Sequence, residues 1–179
     1  MSQTFNYILK NRTTAALVIA DKTFSNETIS ENIEFGYFRR ATFINCSFED
    51  CDFLAGSFNF CLFKNCIFNN VTIRKLDVAD CTFEQCQLRL SSLAPRLDIF
   101  RTKFIKSQFT KVDFTATSFY DCEFSEVDFT KINLTKTMVV NPKAEKITFN
   151  EVEFDPGQAL SIHLRDSRLF PKKFKFCNE

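Results

Sequence analysis

Large apolar residues recur at every fifth position through most of the chain. From Phe38 to Leu93 the period holds in every unit. After one extra residue in the segment 94–98, it resumes at Ile99 and continues to Val139. A repeat sustained over this length indicates a solenoid, in which each short unit contacts only its neighbours.

The pattern is weaker at both ends of this region. A looser, out-of-phase start occupies residues 19–29, and two further units, at Phe149 and Phe154, follow an interruption at residues 140–146. Three segments are therefore predicted: an N-terminal cap with an irregular first coil (1–35), the repeat region (36–154) and a C-terminal segment (155–179).

A second, small residue precedes each large one by two positions, as at Cys46 and Ser91. A period of five fits neither the 3.6 of a helix nor the 2.0 of a strand, so neither element would bury both tracks. A chain that turns a corner every five residues buries both, because four units close a square coil and successive coils stack about 4.8 Å apart. The sequence thus predicts an all-β solenoid with a stacked aromatic core: Phe38, Phe43, Phe48, Phe53, Phe58, Phe63, Phe68, Phe83, Phe104, Phe109, Phe114, Phe119, Phe124 and Phe129.

The repeat units resemble the consensus of the pentapeptide-repeat proteins, which is a small residue, Asp or Asn, Leu or Phe, and two variable positions. The units Cys51–Phe53, Val112–Phe114 and Val127–Phe129 match it closely, and the resemblance covers most of residues 36–154. It implies a right-handed quadrilateral β-helix. The heavy use of Phe and Cys is similar to the Qnr-like and microcin-immunity branch of this family.

The C-terminal segment carries the signature of a helix start. Asp155 suits an N-cap, Pro156 the first helical position and Gln158 the third position of a capping box, so we expect a short helical cap. In Qnr-like proteins a similar segment caps the coil and mediates a dimer. Both a two-fold dimer and a purely intramolecular cap remain open. The candidate dimer interface is Leu160, Ile162, Leu164, Leu169 and Phe170.

The amino-acid composition limits the kinds of functional site that the chain can form. The chain has 24 Phe and 8 Cys but only 3 Gly and 1 His, so a glycine-rich phosphate loop is not expected. Seven of the eight cysteines fall on the small inward track, which favours packing as slim buried side chains over a redox or metal role. The spacing lacks the CxxC pairs and His partners typical of zinc. Cys177 lies outside the pattern and is expected to be an exposed thiol. We expect no metal and no cofactor.

Catalytic candidates are weak. His163 is the one imidazole, and no Ser or Cys nucleophile lies at a recognisable spacing, so a surface or interface role is favoured. Glu49 and Asp50 are outward positions of a solvated corner, whereas Asp52 is expected to bond backbone at its turn. The sequence predicts no catalytic residue and no small-molecule substrate.

No stretch of the sequence has the length of a membrane span or the character of a signal peptide, so a cytoplasmic protein without membrane contact is expected. The resemblance implies a protein partner, DNA gyrase or topoisomerase IV, engaged by an acidic rod that resembles DNA. The charges, 23 Lys and Arg against 22 Asp and Glu, count against mimicry by the whole molecule.

Five lysines are predicted to gather on one side of the coil, where they would contact DNA or an acidic partner or form a solvated face. An interaction scaffold of another pathway, with no topoisomerase role, is the alternative function. The lysines are Lys103, Lys106, Lys111, Lys131 and Lys136.

Overall fold

The structure, a computed structural model, describes residues 4–13, 16–93, 97–154, 168–169 and 175–176. It is an all-β solenoid whose strands pair in parallel with the coil before and the coil after. In most coils the paired residues are 20 apart, as Phe43 and Phe63 are. This spacing is four five-residue units, as the period predicts. The right-handed sense of the coil stays a prediction.

The strands form three continuous faces. Face 1 contains β1 (Leu17–Ala20), β4 (Ile33–Arg39), β7 (Asp52–Asn59), β10 (Thr72–Ala79), β13 (Asp98–Phe100), β16 (Ser118–Tyr120) and β19 (Met138–Val140). Face 2 contains β2 (Thr23–Ser25), β5 (Thr42–Ile44), β8 (Leu62–Lys64), β11 (Thr82–Glu84), β14 (Lys103–Ile105), β17 (Glu123–Ser125) and β20 (Lys143–Glu145). Face 3 contains β3 (Thr28–Ile29), β6 (Ser47–Glu49), β9 (Ile67–Asn69), β12 (Gln87–Arg89), β15 (Gln108–Thr110), β18 (Asp128–Thr130), β21 (Thr148–Asn150) and β23 (Arg168–Leu169).

Face 4 closes the square with less regular pairing. The first halves of β4, β7 and β10 lie on it, and single parallel bridges then link Thr72, Ser92, Asp113, Asn133 and Glu153. Two short strands, β22 (Glu153–Phe154) and β24 (Lys175–Phe176), pair at its end. Four faces per coil account for the 20-residue spacing.

A short helix, α1 (Phe5–Lys10), closes the N-terminal end of the core. Its Thr4 cap accepts a hydrogen bond from the Tyr7 amide at 3.1 Å, and the Glu27 carboxylate accepts one from the Phe5 amide at 2.9 Å. The buried ring of Phe5 lies edge-on to Phe24, with ring centroids 5.0 Å apart. Open solenoid ends need such a cover, since an exposed core end invites association.

The first coil, where the sequence pattern is out of phase, is one residue shorter than the usual 20. Ile29 pairs with Phe48, 19 residues on, whereas Ile33 already pairs with Phe53 at the usual 20, so the missing residue lies between Ile29 and Ile33. The Asn32 side chain compensates by accepting the amide of Asp52 at 2.8 Å. The predicted boundary after residue 35 falls inside β4.

The two predicted irregularities of the repeat region differ in kind. Val78 pairs with Ile99, 21 residues on, which agrees with one extra residue in the segment 94–98. At residues 140–146, however, the coil is not interrupted, because β20 stays in register and Ala144 pairs with Phe124. The pattern fails there only because Ala replaces a large residue at an inward position.

Nearly every described corner has a left-handed backbone at the second residue after the inward one. Asn26, Asn45 and Asn65 share one such corner, with φ of 58°, 53° and 53°. Asn tolerates this conformation better than most residues. The Asn45 amide donates to Asn26 at 3.1 Å, and Asn65 donates to Asn45 at 3.1 Å, so the corner is also a ladder of side-chain hydrogen bonds.

The prediction that Asp52 bonds backbone at its turn is wrong. Its carboxylate accepts a hydrogen bond from Arg74 at 3.2 Å instead. The predicted contact occurs at the equivalent positions three and four coils further on, where Asp113 and Asn133 accept the amides two residues ahead, each at 2.9 Å.

All fourteen Phe assigned to the core are buried. On face 2 the rings stack nearly parallel, with centroids of Phe43 and Phe63 5.1 Å apart and those of Phe63 and Phe83 4.7 Å apart. This column continues to Phe124 and ends at Ala144. There it leaves an apolar cavity of about 50 Å³.

The C-terminal segment is described only in part. Leu169 lies in β23 and pairs with Phe149, so the backbone adds a further strand to face 3. The predicted helix after Asp155 lies outside the described residues, as do Leu160, Ile162, Leu164 and Phe170, and also His163 and Cys177. Among the described residues, no helix combines the length and apolar character needed to cross a membrane.

Candidate interaction face

Cysteines of the small track form hydrogen bonds with the backbone of the neighbouring coil. The Cys66 thiol donates to the carbonyl of Phe43, one coil earlier, at 3.4 Å, and the Cys81 thiol accepts the amide of Cys61 at 3.3 Å. Hydroxyls play the same part further on: Ser91 accepts the Val71 amide at 3.2 Å. The track therefore selects small side chains that can also hydrogen-bond, which goes beyond the predicted role as slim hydrophobes.

The Cys51 and Cys122 thiols are poor nucleophiles. All seven cysteines of the described residues are free and buried. Burial raises the pKa of Cys51 to about 12, assisted by the nearby carboxylates of Asp52, Asp50 and Glu49, and burial raises the pKa of Cys122 to about 11. Because the thiolate is the reactive form, these groups are inert near neutral pH. Within the described ranges, no three His, Cys, Asp or Glu side chains gather as metal ligands.

Charged side chains pair between neighbouring coils. Arg40 holds Asp21, with Nη2 and Oδ2 2.7 Å apart, and Arg101 holds Asp80 at 2.7 Å. Further inter-coil pairs are Lys64–Glu84 at 3.1 Å, Arg74–Asp52 at 3.2 Å, Lys103–Glu123 at 3.0 Å and Lys146–Glu126 at 3.7 Å. Exposed pairs of this kind add little stability. They cancel charge locally between neighbouring coils.

The predicted gathering of five lysines on one side is wrong, because five residues along the chain are a quarter turn of the coil. Lys103 lies on face 2, and Lys106 lies at the corner between faces 2 and 3. Lys111 and Lys131 follow at the next corner, where Lys131 approaches Glu151 at 3.8 Å. Lys136 lies at the corner before face 1.

The acidic residues predicted at a solvated corner are held by amides. Asn69 donates to Glu49 at 2.9 Å, and Asn70 donates to Asp50 at 2.7 Å. Asp50 is exposed, as expected, and Glu49 is half-buried. These contacts continue the side-chain ladders of the corners and form no acid–base pair.

The outer surface of face 1 is unusually apolar at both of its ends. At the N-terminal end, Val18 is 71% exposed and Tyr37 45% exposed, and Phe35, at the corner that leads into face 1, is also 45% exposed. Val18 and Tyr37 are direct neighbours in the sheet. We call these three residues the N-terminal apolar patch.

A second patch lies at the far end of the same face. The rings of Phe100 and Tyr120 stack with centroids 5.0 Å apart, and Val140 follows Tyr120 in the sheet. Met138, on the same strand as Val140, is 45% exposed. We call these four residues the C-terminal apolar patch.

Polar residues separate the two patches. In the column of outward residues that starts at Tyr37, Ser57 comes next, followed by Asp77 and Asp98. Asp77 is exposed and Asp98 is half-buried, and they are neighbours in the sheet. Neither carboxylate makes a hydrogen bond or ion pair with the part of the chain that the structure describes.

This face was not predicted from the sequence. The signal was present, because Tyr37, Phe100 and Tyr120 are aromatic at positions that are mostly polar elsewhere in the repeat. Only the sheet register shows that these residues share one face.

Comparison with known proteins identifies the repeat. The family model described as "Pentapeptide repeats" matches residues 98–135 with 8 copies. No curated protein sequence matches the chain.

Solved structures include similar coils. A trypsin-treated variant of QnrB1, described as a plasmid-mediated fluoroquinolone resistance protein, is 14% identical, and the match covers 84% of this chain and 99% of that chain with a TM-score of 0.37. HetL, a pentapeptide-repeat protein of the cyanobacterium Nostoc described as involved in heterocyst differentiation regulation, is 8% identical over 79% of this chain and 92% of that chain, with a TM-score of 0.20. The matched repeats, residues 98–135, share their five-residue period with the coils on either side of them.

Proposed function

We propose that the chain acts without catalysis as a protein-binding solenoid, and that the outer surface of face 1 is its contact surface. The observation that carries this proposal is the pair of apolar patches on one face. Exposed apolar groups that cluster in this way mark interaction sites on soluble proteins. Val18 and Tyr37 are neighbours, and the half-buried rings of Phe100 and Tyr120 stack on each other, so the apolar groups are contiguous at each end.

The specific partner that we propose is a type II DNA topoisomerase, gyrase or topoisomerase IV, which the chain would modulate or protect from a quinolone or toxin. Support comes from the resemblance of the Phe- and Cys-rich repeats, and of the order of parts near the C-terminus, to Qnr-like proteins. The ion pairs between neighbouring coils do not support DNA mimicry, since mimicry needs acidic groups aligned along a face. Contact through face 1 fits this charge pattern better.

The same charge pattern favours a second candidate, an interaction scaffold of another pathway. Pairs such as Arg101 with Asp80 and Lys103 with Glu123 leave little net field to steer the rod toward a DNA-binding surface. Such a scaffold would use face 1 in the same way.

A gyrase supercoiling assay with a fluoroquinolone and added protein separates these two functions. The topoisomerase hypothesis predicts inhibition or protection at micromolar protein, and it predicts that Tyr120→Asp weakens the effect because it places a charge in the C-terminal apolar patch. Asp128→Asn, on face 3, is the matched control. If the wild-type protein neither inhibits nor protects, the topoisomerase hypothesis should be dropped and the scaffold retained.

The proposal includes two predictions from the sequence: a cytoplasmic location and a homodimer formed through the C-terminal segment. For the dimer, we expect Leu164→Asp to halve the mass measured by light scattering. A monomeric mass for the wild type, unchanged in the variant, would leave the intramolecular cap as the explanation.

A further inference from the structure

We propose that face 1 recognises a polypeptide segment that carries Lys or Arg between two apolar anchors. This inference rests on the proposed protein-binding function and specifies the chemistry of the partner. It follows from the order of residues along one outward column, which is apolar, then acidic, then apolar.

The anchors are set by the two patches. Tyr37 and Met138 lie five sheet steps apart in the same column, through Ser57, Asp77, Asp98 and Ser118. At about 4.8 Å per step, the two ends are roughly 24 Å apart. A helix of about 16 residues spans that distance, since it rises 1.5 Å per residue. Bulky aromatic and aliphatic groups at such ends are typical anchors of protein interfaces.

The acidic centre sets the charge of the partner. Asp77 and Asp98 are neighbours on adjacent strands, so their negative charges add. The nearby carboxylate of Asp80 is already held by Arg101, through two hydrogen bonds of 2.7 Å. Lys75 lies at the corner beside Asp77, yet no ion pair joins the two in the described residues.

A partner that covers both patches also removes water from this centre. Burying two carboxylates without a counter-charge is strongly unfavourable, whereas a basic side chain placed between them offsets that cost. The partner should therefore carry Lys or Arg at this point.

The same two residues argue against other occupants. A second copy docked on face 1 in the opposite direction would place carboxylates against carboxylates at its centre, which is repulsive. Nucleic acid is disfavoured for the same reason, because its phosphates are negative. A basic and apolar polypeptide is the complementary choice.

The test is selection of binders from a phage-displayed library of random 20-residue peptides on the immobilised full chain. We expect the recovered peptides to be enriched in Lys or Arg between apolar residues. In solution, the double variant Asp77→Asn and Asp98→Asn should bind them at least tenfold more weakly. Asp128→Asn, an exposed carboxylate on face 3, should change affinity less than twofold. Circular dichroism melting of all variants checks that the fold is kept.

The outcomes distinguish this inference from the protein-binding function on which it rests. Peptides that lack basic residues, or that bind the double variant as tightly as the wild type, would overturn this inference but leave the protein-binding function standing. If Tyr120→Asp dissociates a dimer seen by sedimentation, a second copy occupies face 1 and the inference is wrong. If no peptide is enriched at all, the protein-binding function itself is contradicted.

Discussion

The backbone amide of Cys61 donates a hydrogen bond to the Sγ of Cys81, 3.3 Å away and one coil further along the chain. The Cys81 thiol in turn donates to the carbonyl of Phe58 at 3.4 Å. One buried side chain thus serves a donor and an acceptor of the preceding coil. Buried backbone groups without partners are costly, so the identity of the side chain at this position matters.

Replacing Cys81 by Ala should therefore destabilise the fold through lost hydrogen bonds as well as lost volume. We expect about 1–3 kcal/mol beyond the loss of volume, because the Cys61 amide is left unpaired in a dry core. Cys81→Ser should be close to the wild type, since Ser91 and Ser107 fill equivalent positions and bond the same kinds of backbone group. Urea unfolding of the reduced protein measures the differences.

Cys51→Ala is the matched control, because Cys51 is equally buried but its thiol makes no hydrogen bond within the described residues. It should report the loss of volume alone. Equal losses for Cys51→Ala and Cys81→Ala would show that the Cys81 hydrogen bonds contribute nothing.

Alkaline pH should lower the free energy of unfolding through the buried Cys51 thiol. The pKa of Cys51 is raised from 9.0 to about 12 by burial and by nearby carboxylates. Above pH 9 the unfolded chain releases this proton while the folded chain keeps it. The free energy of unfolding therefore falls as pH rises from about 9 toward 12, by up to about 1.4 kcal/mol per pH unit for one thiol.

The check is a series of urea unfolding curves between pH 8 and 11 in the presence of reductant. Cys51→Ala should flatten the slope above pH 9 relative to the wild type, because one shifted group is removed while the lysines and tyrosines are unchanged. Identical slopes would mean that the Cys51 pKa is not raised in the fold.

The aromatic core could be predicted because its signal is repeated. One inward Phe means little, but an unbroken period of five allows only a coil with corners, and the register of the sheets agrees with it. The first coil and residues 140–146 were harder to interpret. A missing residue before Ile33 shifts the phase, and Ala144 removes the large side chain on which the pattern depends.

The interaction face could not be predicted to the same extent. Whether Tyr37 and Tyr120 lie on one face or on two depends on the exact number of residues in each coil between them. The coil that contains residues 94–96 has one residue more than the usual 20, which shifts the sheet partners of later residues relative to a strict count. An inward position can still be assigned from the sequence after such a shift, because its own large apolar side chain identifies it. An outward position can be assigned only from its neighbours in the sheet, and these depend on the length of each coil.

Truncating one ring of the stacked core should be severe. Phe58 is buried, and its centroid lies 4.7 Å from that of Phe38. Phe58→Ala should lower the free energy of unfolding by about 3–5 kcal/mol, since a large apolar side chain is removed from a packed interior.

Phe60 provides the control two residues away. It is 56% exposed at a corner, with φ of 56°. Phe60→Asn should be neutral or slightly stabilising, because Asn adopts this left-handed conformation more readily than Phe. A thermal melt in which Phe58→Ala resembled the wild type would contradict the inward assignment of Phe58.

Filling the end of the Phe column should strengthen the fold. Ala144 pairs with Phe124 where earlier coils place Phe, and the adjacent cavity of about 50 Å³ is lined by apolar side chains such as Phe149. We expect Ala144→Leu to raise the free energy of unfolding by about 1 kcal/mol, as cavity-filling substitutions commonly do. Ala41→Leu makes the same change at a fully buried position of the small track. There the added methyl groups should instead cost about 1–3 kcal/mol by overpacking. Opposite signs in urea unfolding are expected, and a comparable loss in both variants would show that the coil end has no room beside Ala144.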